Sequence, residues 1–175
     1  TATEGSALVF TVNVSGISTT PTSFNFSLGG GSASTADYGT PTFSNGVTLA
    51  NGVLTVPAGI TSFTVNLPTI DDNIFEASET VPLNIGGVSA IGTITDNDNA
   101  PTVTSISNAN ATEGAELVYS VNLSNPSTTA TTFNYTLGGG TASAADYGTP
   151  TFSNGVTITN GQLTVPAGVT SFTVT

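Results

Sequence analysis

The stretch Leu8-Val9-Phe10-Thr11-Val12-Asn13-Val14 places Leu8, Phe10, Val12 and Val14 two residues apart. A period of two puts those four side chains on one face of an extended strand and the residues between them on the other. The same alternation recurs along the chain. Phe24, Phe26 and Leu28 share a face, as do Leu54 and Val56, then Phe63, Val65 and Leu67, then Val81, Leu83 and Ile85. Gly92-Thr93-Ile94-Thr95 reads as a closing strand and Val103-Thr104-Ser105-Ile106 as an opening one. Asn51-Gly52 and Asn160-Gly161 stand between apolar runs, where a tight hairpin turn needs residues that tolerate positive φ. Helix formers such as Lys, Arg and Met are absent, whereas Thr, Val, Phe and Gly abound. The chain is therefore expected to be all-β. About seven short strands per ~100 residues predicts tandem antiparallel β-sandwich modules, Ig-like or Greek-key in arrangement. With no Cys and no Trp, the disulfide and tryptophan of true immunoglobulin domains are missing.

Comparison of the chain with itself fixes the organisation. Ala2-Thr3-Glu4-Gly5 recurs as Ala111-Thr112-Glu113-Gly114, and Asp37-Tyr38-Gly39-Thr40-Pro41 as Asp146-Tyr147-Gly148-Thr149-Pro150. At an offset of 109, residues 1–66 and 110–175 share 47 identities in 66 positions without a gap. That period is the size of one sandwich, not of a solenoid unit. The expected domains are residues 1–100, a first repeat without its opening strand, and 101–175, a second repeat without its closing strands. The expected setting is a longer tandem array. The competing expectation is a filament subunit whose strands are completed by a neighbouring chain.

Composition excludes much. The 175 residues contain no Lys, Arg, His or Cys, and eleven acids give a net charge of −11. Ser-His-Asp and Cys-His catalysis, Schiff-base lysines, arginine clamps, zinc-thiolate sites and disulfides are all ruled out. Nothing in the side chains neutralises phosphates, so nucleic acid is excluded as a partner and an anionic membrane surface disfavoured. No apolar run approaches the ~18 residues of a membrane span, and no membrane insertion is expected. No basic leader is present, so an export signal is expected outside this stretch. No enzymatic activity is expected. Asp71 and Asp72 do not suit a glycosidase pair, because neighbours on an extended loop point apart and no Trp platform accompanies them.

The acids are grouped, as Asp71-Asp72-Asn73-Ile74-Phe75-Glu76 and Asp96-Asn97-Asp98. Successive loops of an antiparallel sandwich alternate between its two ends. The loop before the Phe10 strand, the 71–76 loop and the exit at 96–98 are thus expected at one pole. Carboxylates gathered without a cation repel one another, and a bound cation removes the conflict. Oxygen-only ligands on loops suit Ca²⁺. An EF-hand is excluded, since the sixth and twelfth positions from Asp96 are Pro101 and Ser107. Tyr38 and Tyr147 are expected to pack beside the Asp-bearing loops. Asn13, Asn25, Asn110, Asn122 and Asn134 begin Asn-x-Ser/Thr sequons, which a chain so rich in Thr, Ser and Asn produces often.

Four motifs in order resemble the Calx-beta domain. They are Thr3-Glu4-Gly5, Ala36-Asp37-Tyr38, Asp71-Asp72-Asn73-Ile74-Phe75-Glu76-Ala77-Ser78-Glu79, and Ile94-Thr95-Asp96-Asn97-Asp98. The resemblance covers residues 1–98, and the second copy carries the first two motifs. It implies a seven-stranded sandwich with Ca²⁺ at one pole. Carried over by position, it implies Glu4, Asp37, Asp71, Asp72, Glu76, Glu79, Asp96 and Asp98 as ligands, with the Ile74 carbonyl. Glu113 and Asp146 match the motif in a copy that lacks its acidic loop here. Asn97 stands where an all-acidic run would bind more strongly. Cadherins share an Asn97-Asp98-Asn99-Ala100-Pro101-like linker but need an Arg that is absent. Tandem repeats of this composition resemble the extender regions of giant bacterial surface adhesins. The implied role is a calcium-stabilised extension module of a long extracellular, secreted or cell-surface fibre, with Ca²⁺ stiffening module and junction. Its partners would be neighbouring repeats and calcium ions. A calcium-sensing binding module is the alternative, and near-identity between the copies favours mechanical repetition.

Overall fold

The computed structural model describes all 175 residues and is built entirely of β-strands and turns. It contains no helix long and apolar enough to cross a membrane. Two compact units divide it. The first comprises residues 1–72 and 77–97, the second residues 73–76 and 98–175.

The first unit contains β1 (Ala2–Thr3), β2 (Ala7–Asn13), β3 (Thr22–Leu28), β4 (Thr42–Phe43), β5 (Thr48–Ala50), β6 (Val53–Val56), β7 (Ser62–Pro68), β8 (Glu79–Ile85) and β9 (Val88–Thr95). They form a six-stranded sheet in the order β1-β9-β8-β3-β6-β5 and a three-stranded sheet in the order β2-β7-β4. Every pairing is antiparallel except β1 with β9, where Ala2 and Thr3 lie parallel to Ile94 and Thr95. Alternation sends Leu8, Phe63, Val65 and Leu67 from one sheet against Leu54, Val56, Val81, Leu83 and Ile94 from the other, forming the sandwich core. Phe26 and Phe43 meet edge to face across it with ring centroids 5.7 Å apart, the arrangement that the ring quadrupoles favour. The Asn51-Gly52 turn joins β5 to β6 with φ of 50° and 75°. Two successive positive φ values match the right-handed strand twist.

The second unit contains β10 (Val103–Ile106), β11 (Tyr119–Leu123), β12 (Thr131–Asn134), β13 (Thr157–Thr159), β14 (Gln162–Val165) and β15 (Ser171–Val174). Its two three-stranded sheets run β10-β11-β15 and β12-β14-β13. Val121, Leu123, Val156, Leu163, Val165, Phe172 and Val174 are its buried core. Tyr135 and Phe152 reproduce the edge-to-face pair at 5.5 Å. Residues 73–76 belong to this unit. Phe75 bridges Ser127, its N–H donating to the Pro126 carbonyl at 3.0 Å and its carbonyl accepting from the Thr128 N–H at 3.1 Å. β11 and β12 are shorter than their counterparts β2 and β3. β3 runs to Leu28 because Phe26, Ser27 and Leu28 pair with Ile85, Asn84 and Leu83 of β8. β12 ends at Asn134, and the corresponding Tyr135, Thr136 and Leu137 are in no strand. A strand extends as far as its ladder partner does.

Candidate metal centre

The parallel pairing of β1 with β9 determines which acids meet. In a parallel pair the residues that follow matched partners leave on the same side. Thr3 is matched with Thr95, so Glu4 and Asp96 emerge together. The Glu4 N–H donates to the Thr95 carbonyl at 3.1 Å. The glutamate is buried, with 8% of its surface exposed. Asp98 follows Asp96 by two residues along the same chain exit. One oxygen of Glu4 lies within 4.8 Å of one of Asp96.

Asp71 is held beside this group. Gly5 turns the chain with φ of 73°, and a Cβ placed there would sit 3.2 Å from the Asp71 Cβ. The absence of a side chain at Gly5 lets the loop carrying Asp71 approach. The Asn97 side-chain amide donates to Asp71 Oδ1 at 2.8 Å and to the Glu4 carbonyl at 3.4 Å. A carboxylate at position 97 has no donor with which to do this. Asn97 is therefore a positioning residue for two acidic segments, a role that its place in an acidic run did not reveal.

A second group joins Asp37 and Glu79, again with one oxygen of each within 4.8 Å of the other, both half-buried. The Ser34 N–H donates to Asp37 Oδ2, and the Asp37 carbonyl accepts the Ile70 N–H at 2.9 Å. Glu79 opens β8, and Glu76 precedes it by three residues. The acids of the first unit thus sort into two pairs, with Asp71 tied to the first through Asn97. Asp72 is exposed and joins neither; Ile74 is half-buried in the 73–76 segment.

In the second repeat Glu113 and Asp146 are exposed and join no such group. Ser143 instead donates its N–H (2.6 Å) and its hydroxyl (2.8 Å) to Asp146 Oδ2. These two hydrogen bonds hold the Asp146 carboxyl below its ordinary value of 3.8, because they favour the ionised form.

Two like charges at this spacing repel by about 0.9 kcal/mol at the dielectric of water and about 3.5 kcal/mol at an effective value of 20. No side chain of the protein carries a compensating positive charge. Both groups offer carboxylate oxygen only. Such a donor set suits a hard divalent cation and lacks the nitrogen and sulfur that select zinc or copper.

No protein-family model matches the chain, and no curated protein matches it. Solved structures do resemble it. A crystal structure of CBD12 from CALX1.2 aligns over 99% of this chain and 71% of its own, at 15% identity and a TM-score of 0.43. A crystal structure of the calcium binding domain CBD12 of CALX1.1 aligns over 99% of this chain and 70% of its own, at 18% identity and a TM-score of 0.42. Domains 5-6 of the S-layer protein SbsC align over 99% and 77%, at 14% identity and a TM-score of 0.31.

Proposed function

We propose that the chain is a calcium-stabilised extension repeat of a long secreted or cell-surface fibrous adhesin, with Ca²⁺ rigidifying the module and its exit toward the next repeat. The observation that carries this reading is the convergence of the Glu4 and Asp96 carboxylates within 4.8 Å in a chain without Lys, Arg or His. The ion would be held by those two side chains, and a second by Asp37 and Glu79. It would supply the positive charge that the polypeptide lacks. The role is structural and involves no chemical step. Near-identity of the two repeats fits a part whose job is repetition.

The energetics follow from linkage. A ligand that binds only the folded state stabilises it by RT ln(1 + [L]/Kd), about 2.7 kcal/mol at a hundredfold excess over Kd. Differential scanning calorimetry with calcium, magnesium or chelator tests this. Calcium is expected to raise the Tm of the first unit, and Glu4→Gln with Asp96→Asn to remove the part of that rise that the first ion supplies. In chelator the same double variant is expected to be as stable as the parent or more so, since it relieves repulsion. A calcium response undiminished by the double substitution would refute the site. A Tm unaffected by calcium in the parent would refute the function.

A further inference from the structure

In the first unit the loop after β7 is fastened to the turn after β1 by groups that the chain itself supplies. The Thr69 N–H donates to the Ser6 carbonyl at 2.9 Å. The hydroxyl of the buried Thr69 donates to that same carbonyl, with the Thr3 carbonyl 3.2 Å away. The Ile70 N–H donates to the Asp37 carbonyl at 2.9 Å. One residue further, the side-chain nitrogen of Asn97 stands 2.8 Å from Asp71 Oδ1 and 3.4 Å from the Glu4 carbonyl oxygen. An electropositive group thus bridges a carboxylate oxygen and a carbonyl oxygen, the two kinds of ligand that a hard cation takes. Asn97 lies between Asp96 and Asp98 in the chain. An aspartate in its place would offer a further oxygen and take the donor away.

We propose that the Asn97 amide stands in for a cation, holding Asp71 to the Glu4 turn where an acidic side chain at the same position would need an ion to do so. The first unit therefore keeps this loop in place when calcium is withdrawn, and it takes one ion fewer than the same unit with aspartate at position 97. The ion number rests on the calcium reading, whereas the clamp itself requires no ion. A hydrogen bond to a carboxylate is stronger than one between neutral groups. The amide also adds no charge, so Asp71 joins Glu4 and Asp96 without the extra repulsion that a carboxylate at 97 would bring. A cation arriving between Glu4 and Asp96 meets a turn already fastened, and little ordering accompanies its binding. Such a module answers calcium with a gain in stability rather than a change of shape, which is the behaviour of a structural part and not of a sensor.

The test compares the parent chain with Asn97→Asp and Asn97→Ala by amide hydrogen exchange, in chelator and in calcium. In chelator both variants are expected to exchange the Ile70 and Glu4 amides about tenfold faster than the parent, the scale of one lost hydrogen bond to a charged group. Exchange at Val65, in the ladder between β2 and β7, is expected not to change. Calcium is expected to restore slow exchange in Asn97→Asp and not in Asn97→Ala. Calorimetric titration is expected to count one more ion in Asn97→Asp than in the parent. A side chain that merely packed would be missed equally in both variants and replaced by calcium in neither. Unchanged exchange of both variants in chelator would overturn the clamp. Calcium restoring both variants alike, or neither while still stabilising the parent, would overturn the equivalence of amide and ion. A parent indifferent to calcium would instead sink the calcium reading, and the chelator comparison would still decide the clamp.

Discussion

Substituting Gly31 and Gly140 separately by alanine subjects two nearly identical loops to one perturbation in different surroundings. Neither glycine has a positive φ, so alanine is tolerated by the backbone at both. At Gly31 the new methyl would overlap the Thr80 carbonyl oxygen at 2.1 Å and Pro82 Cδ at 2.6 Å. Restoring ordinary contact moves the loop or β8 by about 1 Å. That shift strains three hydrogen bonds: Ser32 N–H to Thr80 Oγ1 at 3.2 Å, Thr80 N–H to Ser32 Oγ at 2.9 Å, and Ala33 N–H to the Thr80 carbonyl at 3.2 Å. At about 1 kcal/mol each, with an overpacking penalty of about 1–3 kcal/mol and a gain of about 0.4–1 kcal/mol from a stiffer unfolded chain, Gly31→Ala is expected to cost about 3–5 kcal/mol. Gly140→Ala meets nothing and is expected to leave stability unchanged or raise it by about 0.4–1 kcal/mol. Native-state hydrogen exchange, read at Val81 and Leu83 for the first unit and at Val165 and Phe172 for the second, reports the two units apart. A Gly31→Ala protein within about 0.5 kcal/mol of the parent, or equal losses at both sites, would refute the account of how β8 seats on this loop.

Leu54 has no exposed surface, and Leu54→Ala is expected to cost about 3–5 kcal/mol, measured by denaturant unfolding monitored at the first unit. The Tyr135 hydroxyl is buried without a hydrogen-bond partner, and burial pushes its pKa up. Phe26 occupies the corresponding place in the first unit, so Tyr135→Phe is expected to stabilise the second unit by about 1 kcal/mol in the same assay. A folded-state pKa depressed at Asp146 means that its two bonds from Ser143 stabilise the loop above the ordinary carboxylate value and are lost as pH falls through the lowered one. Carboxyl NMR titration is expected to place the Asp146 midpoint below 3.8, and Ser143→Ala to move it upward.

The strand pattern was legible because each face is decided by side-chain chemistry alone. Phe63, Val65 and Leu67 alternate with Ser, Thr and Asn, and they are buried as that alternation requires. The turns at Asn51-Gly52 and Asn160-Gly161 declare themselves by composition, and both adopt positive φ at both residues. The pairing of Ala2–Thr3 with β9 was not legible, since two residues display no period. Yet it is this pairing that brings Glu4 to Asp96. The separation of the acids into two groups was hidden for a related reason. It depends on Glu79 opening β8 opposite Ile94, a matter of register between segments rather than of local sequence. The contribution of Asn97 was concealed because an amide within an acidic run reads as a missing charge, not as a donor.

The side-by-side arrangement of Ala2–Thr3 and Val88–Thr95 also determines how the first unit meets tension. Force entering at Thr1 and leaving beyond Thr95 would slide the two strands past each other along their shared axis. Their short ladder, together with the Thr95 hydroxyl bonded to the Ala2 carbonyl at 3.2 Å, would then resist in shear, all links at once instead of one by one. A divalent cation held by Glu4 and Asp96 would lie across that slip plane and act as a rivet whose removal weakens the module where the pull is greatest.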